Sequence, residues 1–324
     1  MTYQPPYTIS SRAVALVAEI AARVERQVIQ EERADALKLR RVNRLRSIHS
    51  SLAIEGNALS LNQVTDILDG KRVVAPLREI QEVKNAIATY DCASSLDPFS
   101  VADLLKAHGM MMSALVDGAG CFRTGGVGVF SGDQVVHIAP PSGQVPQLVA
   151  SLFDWLRNSP DHLLIRSCVF HYEFEFIHPF ADGNGRTGRL WQSLILGKWN
   201  PLFLHLPVET MVHDNQQGYY EAIRQSTEKT DSGPFIDFML ERILEALKQQ
   251  LPENIGGVSG GVSGGVSGDR VLVFIQGHPG LRAKGLSEAL GMPQRTLERH
   301  LHRLRQEGKI EFRGAPRSGG YYCR

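Results

Sequence analysis

The chain has 324 residues, which is long enough for two or three domains. Hydrophobic residues make up 43% and charged residues 21%, with a formal net charge of +1, and this composition is ordinary for a globular protein. Its four cysteines are too scattered for a zinc site or a disulfide framework, and its N-terminus lacks the basic and apolar segments of a signal peptide. No apolar stretch approaches the roughly 20 residues of a membrane-spanning helix, so we expect a reduced cytoplasmic protein without membrane contact.

Charge is divided unevenly along the chain. Residues 269–324 carry 11 Lys/Arg against 5 Asp/Glu, a net of +6, whereas the remainder carries 24 against 29, a net of −5. Between these parts, residues 252–268 contain tandem GGVSG-like copies that are too rich in Gly and Ser to build a core. The composition therefore predicts a mildly acidic body joined to a basic tail by a flexible linker.

Most of the body has helical periodicity. The pattern predicts helices over residues 11–30, 41–57, 62–69, 77–93, 101–115, 147–158, 162–176, 186–199, 215–225 and 234–250. Residues 125–141 instead alternate small, β-branched and polar residues around Ser131, Gly132 and Asp133, which predicts a β-hairpin. A lone hairpin is not stable by itself, so we expect it to lie over the helical body. Taken alone, it would be read as a surface decoration.

The tail, residues 269–324, resembles a winged-helix domain. Three helices are predicted within residues 271–280, 281–292 and 293–310, and a two-stranded wing is predicted on either side of residues 314–320. Outward-facing polar residues on the third helix would suit phosphates and groove edges of DNA. The candidate DNA contacts are Gln294, Arg295, Arg299 and Arg303. Contact with protein is an equally open interpretation, because winged helices serve both purposes and the charge is modest.

The run HPFADGNGRTGR, residues 178–189, is poor material for a helix or a strand. It predicts a tight loop between a helix that ends near His178 and a second helix that begins near Asn184 or Gly185. The three glycines of the run allow positive φ angles and close approach of a ligand. Backbone N–H groups at the start of the second helix would form an anion-binding nest, favoured by the helix dipole.

The charged side chains of this loop suit phosphate chemistry. Arg186 and Arg189 are three residues apart and share a helix face, where guanidinium groups can grip phosphate oxygens. Asp182 is a hard oxygen ligand for a magnesium ion shared with those phosphates. His178 is of the residue type that removes a hydroxyl proton near neutral pH. Each feature alone is more often structural, but their convergence on one loop indicates an active site.

The same run resembles the signature of the Fic family, HPFx(D/E)GNGRxxR, at every specified position. Supporting similarities cover about residues 45–250: GCFRTGGVGV and HIAPP resemble the family's flap, and YYEAI and PFIDFM resemble the helices after the signature. The resemblance implies a mainly α fold, with an N-terminal helical region at residues 1–90 and a Fic-type helical core with a β-hairpin flap at 91–251. The tail adds a small α+β domain.

The resemblance further implies transfer of AMP from ATP to a Ser, Thr or Tyr hydroxyl of a target protein, or of the protein itself. His178 would be the general base, Asp182 would hold Mg²⁺, and Phe180 would anchor the loop in the core. The hairpin edge would pair with an extended segment of the target. The implied nucleotide contacts are Gly183, Asn184, Gly185, Arg186, Arg189, Tyr219 and Tyr220, and the implied target-docking flap residues are Val127, Val129, His137 and Ile138.

A second carboxylate lies far upstream, in SSLAIEGN. Ser51 and Glu55 are four residues apart and would share a helix face; alone, they would be a solvated pair. The pattern (S/T)xxxE(G/N) is similar to the inhibitory helix of Fic proteins that carry this helix before the core. That similarity implies that Glu55 pairs with Arg189, which would remove a phosphate clamp and repel the triphosphate. In some relatives the same glutamate supports removal of AMP, and that activity stays open here.

Other functions remain open at this stage. One is a DNA-binding regulator whose Fic domain only senses nucleotide, and another is transfer of a different nucleotide or diphosphate-linked group, because the loop recognises phosphates more than bases. A kinase reaction like that of the Doc-like branch is disfavoured by the complete GNGR sequence. A homodimer is also an open interpretation.

Overall fold

The computed structural model describes residues 3–28, 36–126, 128–131, 134–250, 271–272, 274–276, 280–290, 294–306, 308–313 and 320–323. The chain divides into two compact units, Met1–Glu253 and Asn254–Arg324, and each has a hydrophobic core of its own. The predicted linker, residues 252–268, lies outside the described residues.

Helices make up most of the first unit. They are α1 (Ser11–Val28), α2 (Ala36–Ile54), α3 (Leu61–Leu68), α4 (Leu77–Cys92), α5 (Val101–Met111), α6 (Val145–Asn158), α7 (Leu163–Ile177), α8 (Asn184–Trp199), α9 (Val208–Asp214), α10 (Gln216–Lys229) and α11 (Gly233–Gln250). Their positions confirm the predicted order. Three predicted helices had wrong bounds. Helix α2 runs from Ala36 to Ile54 rather than over 41–57, and α10 ends at Lys229 rather than at 225. Helix α5 ends at Met111 rather than at 115, ahead of a turn in which Ala114 has a positive φ of 57°.

The predicted hairpin is confirmed as β1 (Gly128–Ser131) and β2 (Gln134–Ile138), which pair antiparallel. Gly128 lies opposite Ile138 and Val129 lies opposite His137, with an irregularity in register after Val129. These pairs place three of the four predicted flap residues on the two strands, and the fourth, Val127, lies outside the described residues.

Helices α7 and α8 form the centre of the first unit. Most residues of helix α7 are buried, and Phe170 and Phe174 are fully enclosed, as expected of a helix in the centre of a core. It packs against α8 and α11, and Trp191 of α8 donates its indole N–H to the carbonyl of Pro98 at 3.0 Å. None of the helices in the described part of the chain is both long and apolar enough to cross a membrane. The loop between α7 and α8 is therefore anchored at both ends in the core.

Helix α2 packs across several elements of this core. It contacts α4, α8 and α9, and its buried Ser47 donates to the carboxylate of Glu209 at 2.8 Å. Ser50 and Thr210 share a second hydrogen bond of 3.1 Å between the same two helices, α2 and α9. This packing brings Ser51, and the turn that follows Ile54, onto the start of α8.

The second unit contains further helical residues at 271–272 and 274–276, then α12 (Ala283–Leu290) and α13 (Gln294–Gln306). Strands β3 (Ile310–Arg313) and β4 (Gly320–Cys323) follow and pair antiparallel, with Ile310 opposite Cys323. Leu286, Leu297 and Leu301 form part of its core. The predicted second and third helices and the strand pair thus occur in the predicted order.

Candidate active site

The loop between α7 and α8 lies between two residues in the left-handed region of backbone space. His178 caps α7 with φ 48° and ψ 63°, and its N–H donates to the carbonyl of Phe174 at 3.0 Å. Gly183 precedes α8 with φ 81°. The Asn184 side chain closes the loop from within, because its amide donates to the Phe180 carbonyl and its oxygen accepts from the Phe180 N–H, both at 2.9 Å. Phe180 itself is fully buried, so the loop has a fixed shape.

The three glycines of the loop serve different purposes, which corrects the prediction that all three supply positive φ. Only Gly183 has a positive φ; Gly185 and Gly188 are helical. A Cβ at Gly185 would lie 2.4 Å from Oε1 of Glu55, and a Cβ at Gly188 would lie 2.9 Å from Oε1 of Glu175. At both positions a Cβ would displace a carboxylate that approaches the helix closely.

Arg189 is buried and is held by the segment at the end of α2. Its Nη2 donates to Oε1 of Glu55 at 2.7 Å and to the carbonyl of Ser51 at 2.9 Å, and its Nε donates to Oγ of Ser51 at 3.1 Å. Burial alone would lower the pKa of Arg189, but the charge and hydrogen bond of Glu55, together with neighbouring charges, raise that pKa above its usual value. Glu55 lies in the turn after Ile54 rather than inside α2. The structure therefore places the carboxylate on the guanidinium, as the resemblance implied.

Arg186 belongs to a separate ionic network. Its guanidinium lies 3.2 Å from Oδ1 of Asp182 and 3.5 Å from Oε1 of Glu82. Arg78, from the start of α4, bridges the same two carboxylates at 3.3 Å and 3.5 Å. Asp182 also accepts a hydrogen bond from the Gly183 N–H at 2.6 Å. The predicted magnesium ligand is thus a partly exposed carboxylate that two arginines share in this state.

Asn57 joins the two networks. It lies two residues after Glu55 and is buried, and its amide donates to Oε2 of Glu82 at 2.9 Å and to the carbonyl of Glu79 at 3.2 Å. Glu82 in turn lies against Arg186. The segment that follows α2 therefore reaches both arginines of the loop, one directly and one through Glu82.

His108 of α5 packs against the loop between α7 and α8. Its ring stacks on Phe180 with centroids 3.6 Å apart. Its Nδ1 accepts from the Gly120 N–H at 2.9 Å, so the neutral ring carries its proton on Nε2 and donates to the Asp182 carbonyl at 3.0 Å. Burial lowers the pKa of His108, which favours this neutral form. The main chain at Asp182 is therefore held independently of its carboxylate.

The two tyrosines predicted to flank the base have different environments. Tyr219 is 3% exposed and its hydroxyl lies 3.0 Å from Nε2 of His171, inside the core. Tyr220 is 37% exposed. Adjacent residues on a helix point in different directions, so α10 can present only one of this pair at its surface, and Tyr220 is the exposed one.

Several residues at the site had no signal in the sequence. Arg78 and Glu82 lie about a hundred residues before the loop and belong to no motif, and His108 stands alone in a helical pattern. The residues that the structure adds are Arg78, Glu82, His108, Arg123 and Glu175. On α13, Gln294 and Arg299 are exposed, whereas the side chains of Arg295 and Arg303 lie outside the described part of the chain.

Glu175 is a mostly buried carboxylate beside this site. It lies on the last turn of α7, with Oε1 4.0 Å from Nε2 of His171, and that oxygen has no hydrogen-bond partner among the described residues. Burial raises the pKa of Glu175 to about 7, although the charge of Arg189 opposes this. Burial also lowers the pKa of His171 to about 4, so the neighbouring imidazole is neutral at physiological pH.

We expect Glu175→Gln to stabilise the protein at pH 8 and to have no effect near pH 4.5. The folded pKa lies above the usual carboxyl value, so the folded protein retains a proton that the unfolded chain releases as pH rises from 4.5 to 7. Ionising the buried group therefore costs stability, on the order of 3 kcal/mol above pH 7. Urea unfolding of both proteins at the two pH values tests this, with the exposed Glu228→Gln as control. A difference that is the same at both pH values would contradict it.

Comparison with known proteins agrees with the geometry of this loop. The Fic/DOC family model matches residues 98–196. The chain is also 44% identical to a solved Fic family protein from Desulfovibrio desulfuricans G20, with a TM-score of 0.75 over 99% of this chain and 98% of that one. The protein therefore belongs to the Fic/DOC family.

More distant relatives are protein adenylyltransferases. Protein adenylyltransferase fic-1 of Caenorhabditis elegans is 32% identical in an alignment that covers 59% of this chain and 38% of that protein. Protein adenylyltransferase Fic of Culex quinquefasciatus is 29% identical in an alignment that covers 61% of this chain and 39% of that protein. The matched region spans about two fifths of the length of these relatives.

Proposed function

We propose that this protein is a self-inhibited protein adenylyltransferase, which transfers AMP from ATP to a Ser, Thr or Tyr hydroxyl of a target protein or of itself. The observation that carries the proposal is the position of Glu55. Its carboxylate packs against Gly185 and binds Arg189 at the first turns of α8, where backbone N–H groups and the helix dipole favour an anion. A carboxylate thus occupies the place where a phosphate group would be bound.

The residues of the loop fit Mg²⁺ and ATP. Asp182 offers a partly exposed carboxylate that would hold Mg²⁺, and the two arginines that now pair with it would be free to face the phosphates. Bound Mg²⁺ would neutralise phosphate charge. The glycines leave the start of α8 open to the triphosphate, Asn184 would contribute its backbone because its side chain closes the loop, and Arg186 and Arg189 would hold the β- and γ-phosphates.

The proposed reaction is one displacement at phosphorus. His178 takes the proton from the target hydroxyl, and the oxygen forms a bond to the α-phosphorus of ATP. The bond between that phosphorus and the bridging oxygen to the β-phosphate breaks, and pyrophosphate leaves. Catalysis then depends on alignment and on neutralisation of charge, both of which this loop supplies.

In this proposal residues 1–90 carry the inhibitory segment and residues 91–251 the catalytic core. Glu55 withdraws Arg189 from the triphosphate, while Asn57 steadies Glu82 against Arg186. The same carboxylate could position a water for removal of AMP, which is the alternative activity of this site.

A second candidate function is favoured by the surface of α13. Leu297, Leu301 and Leu304 face the core of the second unit, while exposed polar and basic residues lie on the other side of the helix. These exposed residues are Gln294, Glu298, Arg299, His302 and Arg305. A winged-helix domain at residues 269–324 that contacts DNA would make the protein a regulator whose Fic core senses nucleotide.

Covalent transfer of a labelled group to protein distinguishes the adenylyltransferase from the nucleotide-sensing regulator. Full-length Glu55→Gly protein is incubated with Mg²⁺ and ATP labelled on either the α- or the γ-phosphate, with its own chain and a bacterial lysate as acceptors. We expect covalent label from the α-position alone. Label from the γ-position alone would identify a kinase, and α-label only from CTP, GTP or UTP would identify a different nucleotidyl donor. ATP binding without label from any nucleotide would support the sensing regulator instead.

A further inference from the structure

Arg123 lies beside the loop, and its buried guanidinium, 6% exposed, donates to four backbone carbonyls. Nε donates to the carbonyl of His178 at 2.7 Å, and Nη2 donates to that of Ile177 at 3.3 Å. Nη1 donates to the carbonyl of Gly125 at 2.8 Å, and Nη2 also donates to that of Pro140 at 2.5 Å. One side chain therefore binds four separate points of the main chain.

These four carbonyls belong to two structures. Gly125 and Pro140 lie on the segments that enter β1 and leave β2. These two segments are the stems of the hairpin. Ile177 and His178 are the end of α7. The backbone N–H of Arg123 adds a further bond to the Pro179 carbonyl at 3.0 Å. Arg123 thus connects both stems to His178, the residue that the proposed reaction uses as its base.

Arg123 is held by backbone carbonyls rather than by an opposite charge. Within the described residues no carboxylate forms an ion pair with Arg123, and burial lowers the pKa of its guanidinium. A buried cation without a counter-ion is costly unless its donors are satisfied. A planar guanidinium can satisfy them here because its fork reaches carbonyls in several directions, which a lysine ammonium cannot do at once.

The contact also constrains His178 directly. The left-handed backbone of His178 is held at its N–H by Phe174 and at its carbonyl by Arg123. With both peptide groups fixed, the Cα–Cβ bond from which the imidazole extends has a set direction relative to the hairpin stems. By contrast, within the described residues Arg123 forms no hydrogen bond with Asp182, Arg186 or Arg189.

We propose that Arg123 is a positioning residue that sets the distance and orientation between the β1–β2 hairpin and His178. An extended target segment paired with the hairpin edge would then present its hydroxyl at the base, and small displacements there are expensive for catalysis. The inference rests on the adenylyl transfer proposed above. It predicts that loss of Arg123 slows transfer without weakening the binding of ATP.

The test compares Arg123→Met and Arg123→Lys in full-length Glu55→Gly protein. Ser142→Ala is the matched control, because Ser142 donates to the Thr124 carbonyl at 2.7 Å on the same stems and forms no side-chain hydrogen bond with α7 within the described residues. We expect both Arg123 variants to lose about 10- to 100-fold in the rate of α-label transfer, with the ATP dissociation constant unchanged within about twofold of the parent. The control should keep the parent rate. A second readout is the NMR spectrum of protein labelled with ¹⁵N-histidine, in which the His178 ring signals are assigned by their loss in His178→Ala. These signals should shift in the Arg123 variants, whereas the signals of the buried His171 should stay in place.

Three outcomes would overturn the inference. The first is that the Arg123 variants transfer label at close to the parent's rate. The second is that they lose ATP affinity in proportion to their loss of rate, and the third is that their His178 signals are unchanged. If Arg123→Met does not fold, Arg123→Lys carries the comparison. If the Glu55→Gly parent transfers no label at all, the proposed function fails, and the His178 signals still decide whether Arg123 positions that side chain.

Discussion

Glycine in place of Glu55 should raise the initial rate of AMP transfer by about 5- to 150-fold, the range given by typical coupling free energies of 1 to 3 kcal/mol. In the resting protein the carboxylate lies 2.7 Å from Arg189 and against Gly185. A triphosphate must displace it and overcome the repulsion between like charges. Rates with α-labelled ATP, and the ATP dissociation constant of each protein, measure the effect.

The gain should not require a rearranged site. Arg189 keeps its two bonds to Ser51 when the carboxylate is removed, so its guanidinium stays oriented towards the start of α8. Glu55→Gln retains the shape and an acceptor oxygen but not the charge, and its rate should lie between those of the native and glycine proteins. Glu228→Gln removes an exposed partner of Arg224 and should leave the rate unchanged. Equal rates from the native and Glu55→Gly proteins would show that Glu55 does not inhibit.

The centre of the fold was predictable because its signals are local. The loop at residues 178–189 interrupts two apolar runs, and the helices end at Ile177 and begin at Asn184 as that interruption indicates. Helix α9 escaped prediction because its seven residues span only two turns, too few to display a period. The start of α2 was predicted five residues late, although Asp35, of a residue type favoured at helix N-caps, directly precedes Ala36 in the sequence.

The site was predictable where its residues lie close in sequence and unpredictable where they do not. The loop carries its own base, acid and arginines, and the upstream Glu55 was found through its motif. Arg78 and Glu82 reach Asp182 and Arg186 only through the packing of α4, which no local pattern encodes. The sequence also indicated that the glycine at position 185 allows a close approach, but it did not reveal that the group lying there is a carboxylate from a distant segment.

Alanine in place of His178 should lower the rate of AMP transfer by about 10²- to 10⁴-fold, the usual contribution of a general base. The binding of ATP should change little, because Arg186 and Arg189 hold their partners through separate networks. His178 is partly exposed at the end of α7, where a hydroxyl can reach it. The measurement is the rate of α-label transfer in the Glu55→Gly background, together with the ATP dissociation constant.

A second variant separates chemistry from backbone conformation at this position. His178 has φ 48°, a region that asparagine adopts more readily than alanine, so His178→Asn preserves the loop but removes the base. If both variants lose transfer to the same extent while binding ATP, the imidazole acts as the base. If asparagine restores the rate, the position matters for its left-handed turn, and the proton of the target hydroxyl must leave by another route.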